Sequence, residues 1–150
     1  MAASTGAHAG ADPAILQMGV GALDTCATHM PDTDAMHGDF QAAGLKSEGG
    51  VGGLRAYSQN GRRMIVAFSS PGSQQQFCFV FVRRMTTEEA VAALAPYIEL
   101  INGTLVEPTP ANFDQMWEGD FKGGRVRLGV YTRINILGQH GKALVAAEVN

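Results

Sequence analysis

The chain has 150 residues, 45% of them apolar and 17% charged, with a formal net charge of −3. This is enough chain for one domain around one core. It lacks the basic excess of a general nucleic-acid binder, the charge imbalance of a disordered chain and any apolar run near the ~18 residues of a membrane span.

The N-terminus, "MAASTGAHAGADP", has neither the basic start nor the apolar stretch of a signal peptide. It reads either as the start of a mature exported chain carrying an added Met1, or as a frayed cytosolic terminus. Both readings predict a flexible segment over residues 1–11 and a single domain over 12–150. Asp12-Pro13 supplies an N-cap and a first helical residue. Ile15, Ala22, Cys26 and Met30 recur at helical spacing from there, so a helix is expected to about His29, closed by Pro31. Gly19 and Gly21 weaken it in isolation and permit close packing on a sheet. A second, short helix follows, capped by Asp32 or Thr33, with Met36, Phe40 and Ala43 as its stripe and Gly44 as its terminator.

"EGGVGG" (Glu48–Gly53) reads as a turn. Asn60-Gly61 then sits between two alternating runs, the strongest short hairpin signal, and places strands at about 53–59 and 62–69. "SSPGS" turns the chain into a third strand, 74–83, within "QQQFCFVFV". "MTTEEAVAALAPYIELING" is the clearest helix, with Thr86 and Glu89 at capping-box spacing and Pro96 inside the pattern. Glu107–Asp120 reads as a Pro-containing loop with one helical turn around Phe113–Trp117. "RVRLGVYTRIN" and "KALVAAEV" around "LGQHG" make a C-terminal hairpin. The expected fold is α+β: a two-layer sandwich with a mostly antiparallel five-stranded sheet, a three-strand meander plus the C-terminal hairpin, and helices on one face. Each half is helical first and then a meander, a loose internal echo without an exact repeat.

Strand alternation sorts the faces. Val126, Leu128 and Val130 share one side of their strand; Arg125, Arg127, Tyr131 and Arg133 share the other. Leu54 and Ala56 alternate in the same way with Arg55 and Tyr57. In "FCFVFV" both sides are apolar, with Phe77, Phe79 and Phe81 opposite Cys78, Val80 and Val82. Either this is a central strand covered on both sides, or its Phe rings lie on an open face beside Arg and Tyr, which marks a binding surface. The second reading gathers Arg55, Tyr57, Phe77, Phe79, Arg125, Arg127, Tyr131 and Arg133 into one candidate site for a protein partner or a small anionic ligand. Eight Arg against three Lys fit such flat, bidentate contacts, as does a merely genomic bias.

"FCFVFV" followed by "TTEEAVAALAPYIELINGTLV" resembles the third strand and second helix of an RNA-recognition motif, over about 30 residues. The resemblance implies that Phe77 and Phe79 stack flat ligands. Gln75-Gln76 stands where that motif has a basic residue and Gly, Val82 replaces its last aromatic, and the strand–helix–strand half is absent. The resemblance is therefore not a fold assignment, and no family is recognised across the whole chain.

The two cysteines, Cys26 and Cys78, form a disulfide if the first helix packs on the Cys78 side of the sheet; otherwise they are buried thiols. A disulfide suits a periplasmic or extracellular compartment, with the cytoplasm as the alternative. Cys26-x-x-His29 with His37 lacks the second ligand pair of a zinc site, and no cofactor motif is read. The function expected is a small non-enzymatic binding or interaction domain using the Arg/Tyr/Phe face. The alternatives are a hydrolase-like enzyme, with Asp114, Glu118 and Asp120 in loop 113–120 closing over the sheet, and a homodimer packing through the Phe face.

Overall fold

A computed structural model describes residues 10–149. Its elements run α1 (Pro13–His29), α2 (Thr33–Ala42), β1 (Lys46–Val51), β2 (Leu54–Ser58), β3 (Met64–Phe68), β4 (Phe77–Val82), α3 (Thr87–Leu100), β5 (Thr104–Leu105), β6 (Phe113–Phe121), β7 (Gly124–Ile136) and β8 (Gln139–Glu148). The segment expected to be flexible lies outside the described residues except for Gly10 and Ala11. Ala11 is buried, and its N–H donates to Glu89 Oε1 at 3.0 Å. Glu89 also closes the capping box with Thr86 at the start of α3, so one carboxylate ties both helix entries together. The Asp12 carboxylate caps α1 by accepting from Ala14 N–H, with Pro13 at its first position.

The fold is α+β, with three helices and an open antiparallel sheet. The sheet has eight strands in the order β1-β2-β3-β4-β8-β7-β6-β5, not the five expected. Each half is helical and then forms a four-strand meander, and the two meanders join edge to edge along β4 and β8. The order therefore reads the same from either edge, which gives the internal echo a topological form.

The missed strands are those with weak apolar alternation. β1, "KSEGGV", is an edge strand with one polar or glycine residue after another and a bulge between Ser47 and Gly49. β5 has two residues, both exposed. β6 runs through the acidic segment expected to be a loop; β5 and β7 pair with its two sides, so only Met116 and Gly119 are buried.

Helices cover one face. The register carries a row of side chains across it: Tyr57, Val66, Val80, Leu144 and Val130. α1 lies over β3 and β4, and α3 over β6, β7 and β8. α1 approaches closely because Gly19 has no side chain; a Cβ there would stand 2.7 Å from Val82 Cγ2. Gly21, two residues on, faces open space. The Cys26–Cys78 disulfide bridges α1 to β4 across 52 residues of sequence.

The opposite face is covered over β2 to β4 by the chain's own C-terminal hairpin. β7 and β8 turn at Leu137-Gly138, both at positive φ (50° and 80°), the conformation of a tight hairpin turn. A bulge between Tyr131 and Ile134 bends the hairpin. Ile134, Ile136 and Leu137 thereby pack on Ala56, Ile65, Ala67 and Phe81 in a second, smaller core. Arg62 Nη1 donates to Leu137 O at 3.3 Å and Arg83 Nη2 to Gln139 Oε1 at 3.1 Å, which pin the tip. Arg62 is itself held by Glu48, whose carboxyl its hydrogen bonds keep below the ordinary range.

Candidate functional site

The sheet face left open by the hairpin spans β4, β8, β7 and β6. One row across it is Phe77, Ala147, Arg127 and Glu118; the next is Phe79, Val145, Gly129 and Met116. Tyr131 lies opposite Phe113, their rings tilted at 5.0 Å. The Phe113 ring also lies over Gly129, where a Cβ would come within 2.9 Å of it. Phe77, Phe79, Arg125, Arg127 and Tyr131 therefore share one surface. Phe77, Phe79, Phe113, Tyr131, Val145 and Ala147 are all half-buried, a continuous apolar strip open to solvent on one side.

The other predicted site residues lie elsewhere. Tyr57 is a core residue on the helix face. Its ring stacks on Phe68 at 6.0 Å, Phe40 packs beside it, and its hydroxyl hydrogen-bonds His37 Nδ1. The alternation in β2 has the expected period but the opposite side faces the helices, because the hairpin covers Ala56. Arg55 shares the Tyr57 side of β2 and is exposed near the sheet edge. Arg133 lies in the bulged stretch of β7, outside the paired rows.

The guanidiniums of the open face are each engaged with β6. Arg125 Nη1 donates to Asp120 Oδ1 at 2.9 Å, and its Nη2 lies 3.8 Å from Glu118 Oε2. Arg127 Nε is 3.7 Å from Glu118 Oε1, an ion pair; it is shielded from solvent and makes no hydrogen bond. The face thus carries an acidic strip, Glu118 and Asp120, beside a basic strip, Arg125 and Arg127.

The carboxylates expected in a loop with one helical turn stand in a strand. Asp114 accepts from Lys142 Nζ at 2.6 Å, Thr132 Oγ1 at 2.8 Å and Thr87 Oγ1 at 2.9 Å, which ties the start of α3 to the sheet. Burial raises its carboxyl pKa, but the three hydrogen bonds and the Lys142 charge outweigh burial and hold it below the ordinary range. A depressed folded-state value means that Asp114 contributes stability above its unfolded pKa of ~3.9 and loses it as pH falls through the folded value. Asp114→Ala is expected to cost about 2–3 kcal/mol at pH 7, since it strands a part-buried Lys142. The gap to the parent should narrow below about pH 4. Urea unfolding of both proteins from pH 7 to pH 3 checks this; a pH-independent gap contradicts it.

His37 and Asp39 point to different partners, Tyr57 and His29. Cys26 is held in the disulfide, which closes the Cys-x-x-His metal reading. Among the described residues no group of three or more His, Cys, Asp or Glu side chains is placed to hold a metal ion, and no helix is long and apolar enough to cross a membrane.

One concavity had no signal in the sequence. On the helix face, between the ends of α1 and α3, an apolar cavity of about 230 Å³ opens over Val126, Leu128 and Ala146. It is a property of how two helices diverge, and no run of residues announces it. Comparisons with protein-family models, curated proteins and solved structures found no match to the chain.

Proposed function

We propose that this chain is a non-enzymatic interaction domain of an extracytoplasmic compartment, and that it pairs with a second copy of itself through the open half of its sheet. The observation that carries the reading is the half-exposed strip of Phe77, Phe79, Phe113, Tyr131, Val145 and Ala147 beside charges of both signs. An apolar centre with a charged rim is the anatomy of a protein interface. A two-fold axis parallel to the strands, between β6 and β7 in the plane of contact, would lay the acidic strip of one copy on the basic strip of the other, and isologous pairing requires such self-complementarity. A small anion is a poorer occupant, because Arg125 and Arg127 each face a carboxylate already. The Cys26–Cys78 bridge supports the oxidising compartment.

Sedimentation or light scattering across a concentration series tests the pairing. The parent should dimerise, and Arg127→Glu should weaken the dimer at least tenfold, ~1.4 kcal/mol. The exchange Glu118→Arg with Arg127→Glu should restore it. A parent that stays monomeric to roughly millimolar concentration, the affinity of a negligible interface, ends this reading.

A further inference from the structure

We infer that the cavity between α1 and α3, on the helix side of the sheet, is a binding site for a small apolar molecule; it shares only Arg125 and Ala147 with the open sheet face. The cavity is a concave apolar cleft open to solvent on one side, with a volume of about 230 Å³. It persists because α1 and α3 rest on different strands, while Ala27 and Ala146 are too short to fill the gap.

The walls are held apart by bonds of three kinds. The disulfide fixes the end of α1 to β4 through Cys26, which itself lines the cavity. Asp120 N–H donates to Ile101 O at 2.9 Å, which fixes the end of α3 to β6. Lys122, in the β6–β7 turn, donates through Nζ to Ala27 O at 3.2 Å and Thr28 O at 3.0 Å. Neither wall can collapse onto the other without breaking one of these, so the cavity is formed before a guest arrives, which lowers the cost of binding.

The lining sets the chemistry of the guest. Met30, Tyr97, Leu100, Ile101, Phe121 and Leu128 present mostly hydrocarbon. Leu100 is 64% exposed and adds apolar surface that a guest would cover. Of the polar lining residues, Lys122, Arg125 and Glu148 are exposed, and the less exposed Gln76 and Tyr97 are already engaged. Gln76 donates to the Ser70, Pro71 and Ser73 carbonyls and accepts from Ser69 Oγ, and the Tyr97 hydroxyl donates to Asp24. A polar guest would find no buried partner there, whereas an apolar one loses nothing by entering. Scaled from the 150 Å³ cavity that accepts benzene, the space suits roughly nine or ten carbons.

Naphthalene is the probe. Amide NMR of the full chain should show shifts confined to the ends of α1 and α3 and to β8, saturating with a dissociation constant in the micromolar range. Ala27→Phe fills the cavity and should weaken naphthalene binding at least tenfold with Tm unchanged or raised. Leu100→Asp alters an exposed wall, so it should leave the fold intact and weaken binding as well, which decides the matter if the Ala27 variant does not fold. Absence of those shifts at 0.2 mM naphthalene, or unchanged affinity in Leu100→Asp, overturns the site. Neither result bears on the dimer, which is read by sedimentation without the probe.

Discussion

Replacing Cys26 and Cys78 together by alanine should lower the free energy of unfolding by about 4 kcal/mol. The bridge closes a 52-residue separation, and the loss of chain entropy in the unfolded state for a loop of that size gives ~4 kcal/mol. Against the ~5–15 kcal/mol that holds a typical domain folded, this is a large share. Both cysteines are fully buried, so alanine removes two sulfur atoms from the core without burying a new polar group. Guanidinium unfolding of the parent and the double variant, compared at equal slope, reads the difference. A change below about 1 kcal/mol would mean that packing alone holds α1 on β4, against the loop-closure argument. The same bridge supports the proposed compartment. A thiol count on denatured, unreduced protein from its native source should find none; two reactive thiols would remove that support.

The sequence is most informative where structure is decided locally. Thr86 and Glu89 form the expected capping box, Asp12 and Pro13 open α1, and Leu137-Gly138 turns the C-terminal hairpin. Gly19 permits close packing, as its place in α1 suggested, while Gly21 beside it does not serve that purpose. The Cys26–Cys78 pairing was legible because two cysteines leave one partner each and the apolar pattern put their elements in contact.

Longer-range features were hidden. β6 has an apolar pair, Met116-Trp117, pointing to opposite faces and a glycine where its next helix-facing side chain would be, so period-two alternation never develops. The side of β2 that meets the helices could not be read from Leu54 and Ala56, because a hairpin eighty residues later covers them. Phe77 and Phe79 were visible as candidates. Phe113 was not, since its place beside Tyr131 depends on a strand that looked like a loop. The cavity is hidden for the same reason: it records where two elements fail to meet.

Gly119→Ala should be the most damaging single methyl that can be added to the second half of the sheet. A Cβ at this position would stand 2.2 Å from Ile101 O and 2.8 Å from Ile101 Cγ1. The backbone oxygen cannot rotate away, because the end of α3 is seated on β6 there and Ile101 O accepts from Asp120 N–H. Relief requires α3 to lift by an ångström or more, which breaks that bond and uncovers Ile101, now buried. Overpacking of this kind costs ~1–3 kcal/mol, and the lost backbone hydrogen bond adds ~1 kcal/mol, so about 3 kcal/mol is expected in urea unfolding. Gly38→Ala is the matched control. It faces open space on α2, so replacing glycine there should stabilise by ~0.5–1 kcal/mol. Because Leu100 and Ile101 also wall the cavity, Gly119→Ala should weaken naphthalene binding, whereas Gly38→Ala should not. A Gly119→Ala protein as stable as the parent would show that α3 yields freely at its end, and the cavity would then lose one of its three braces.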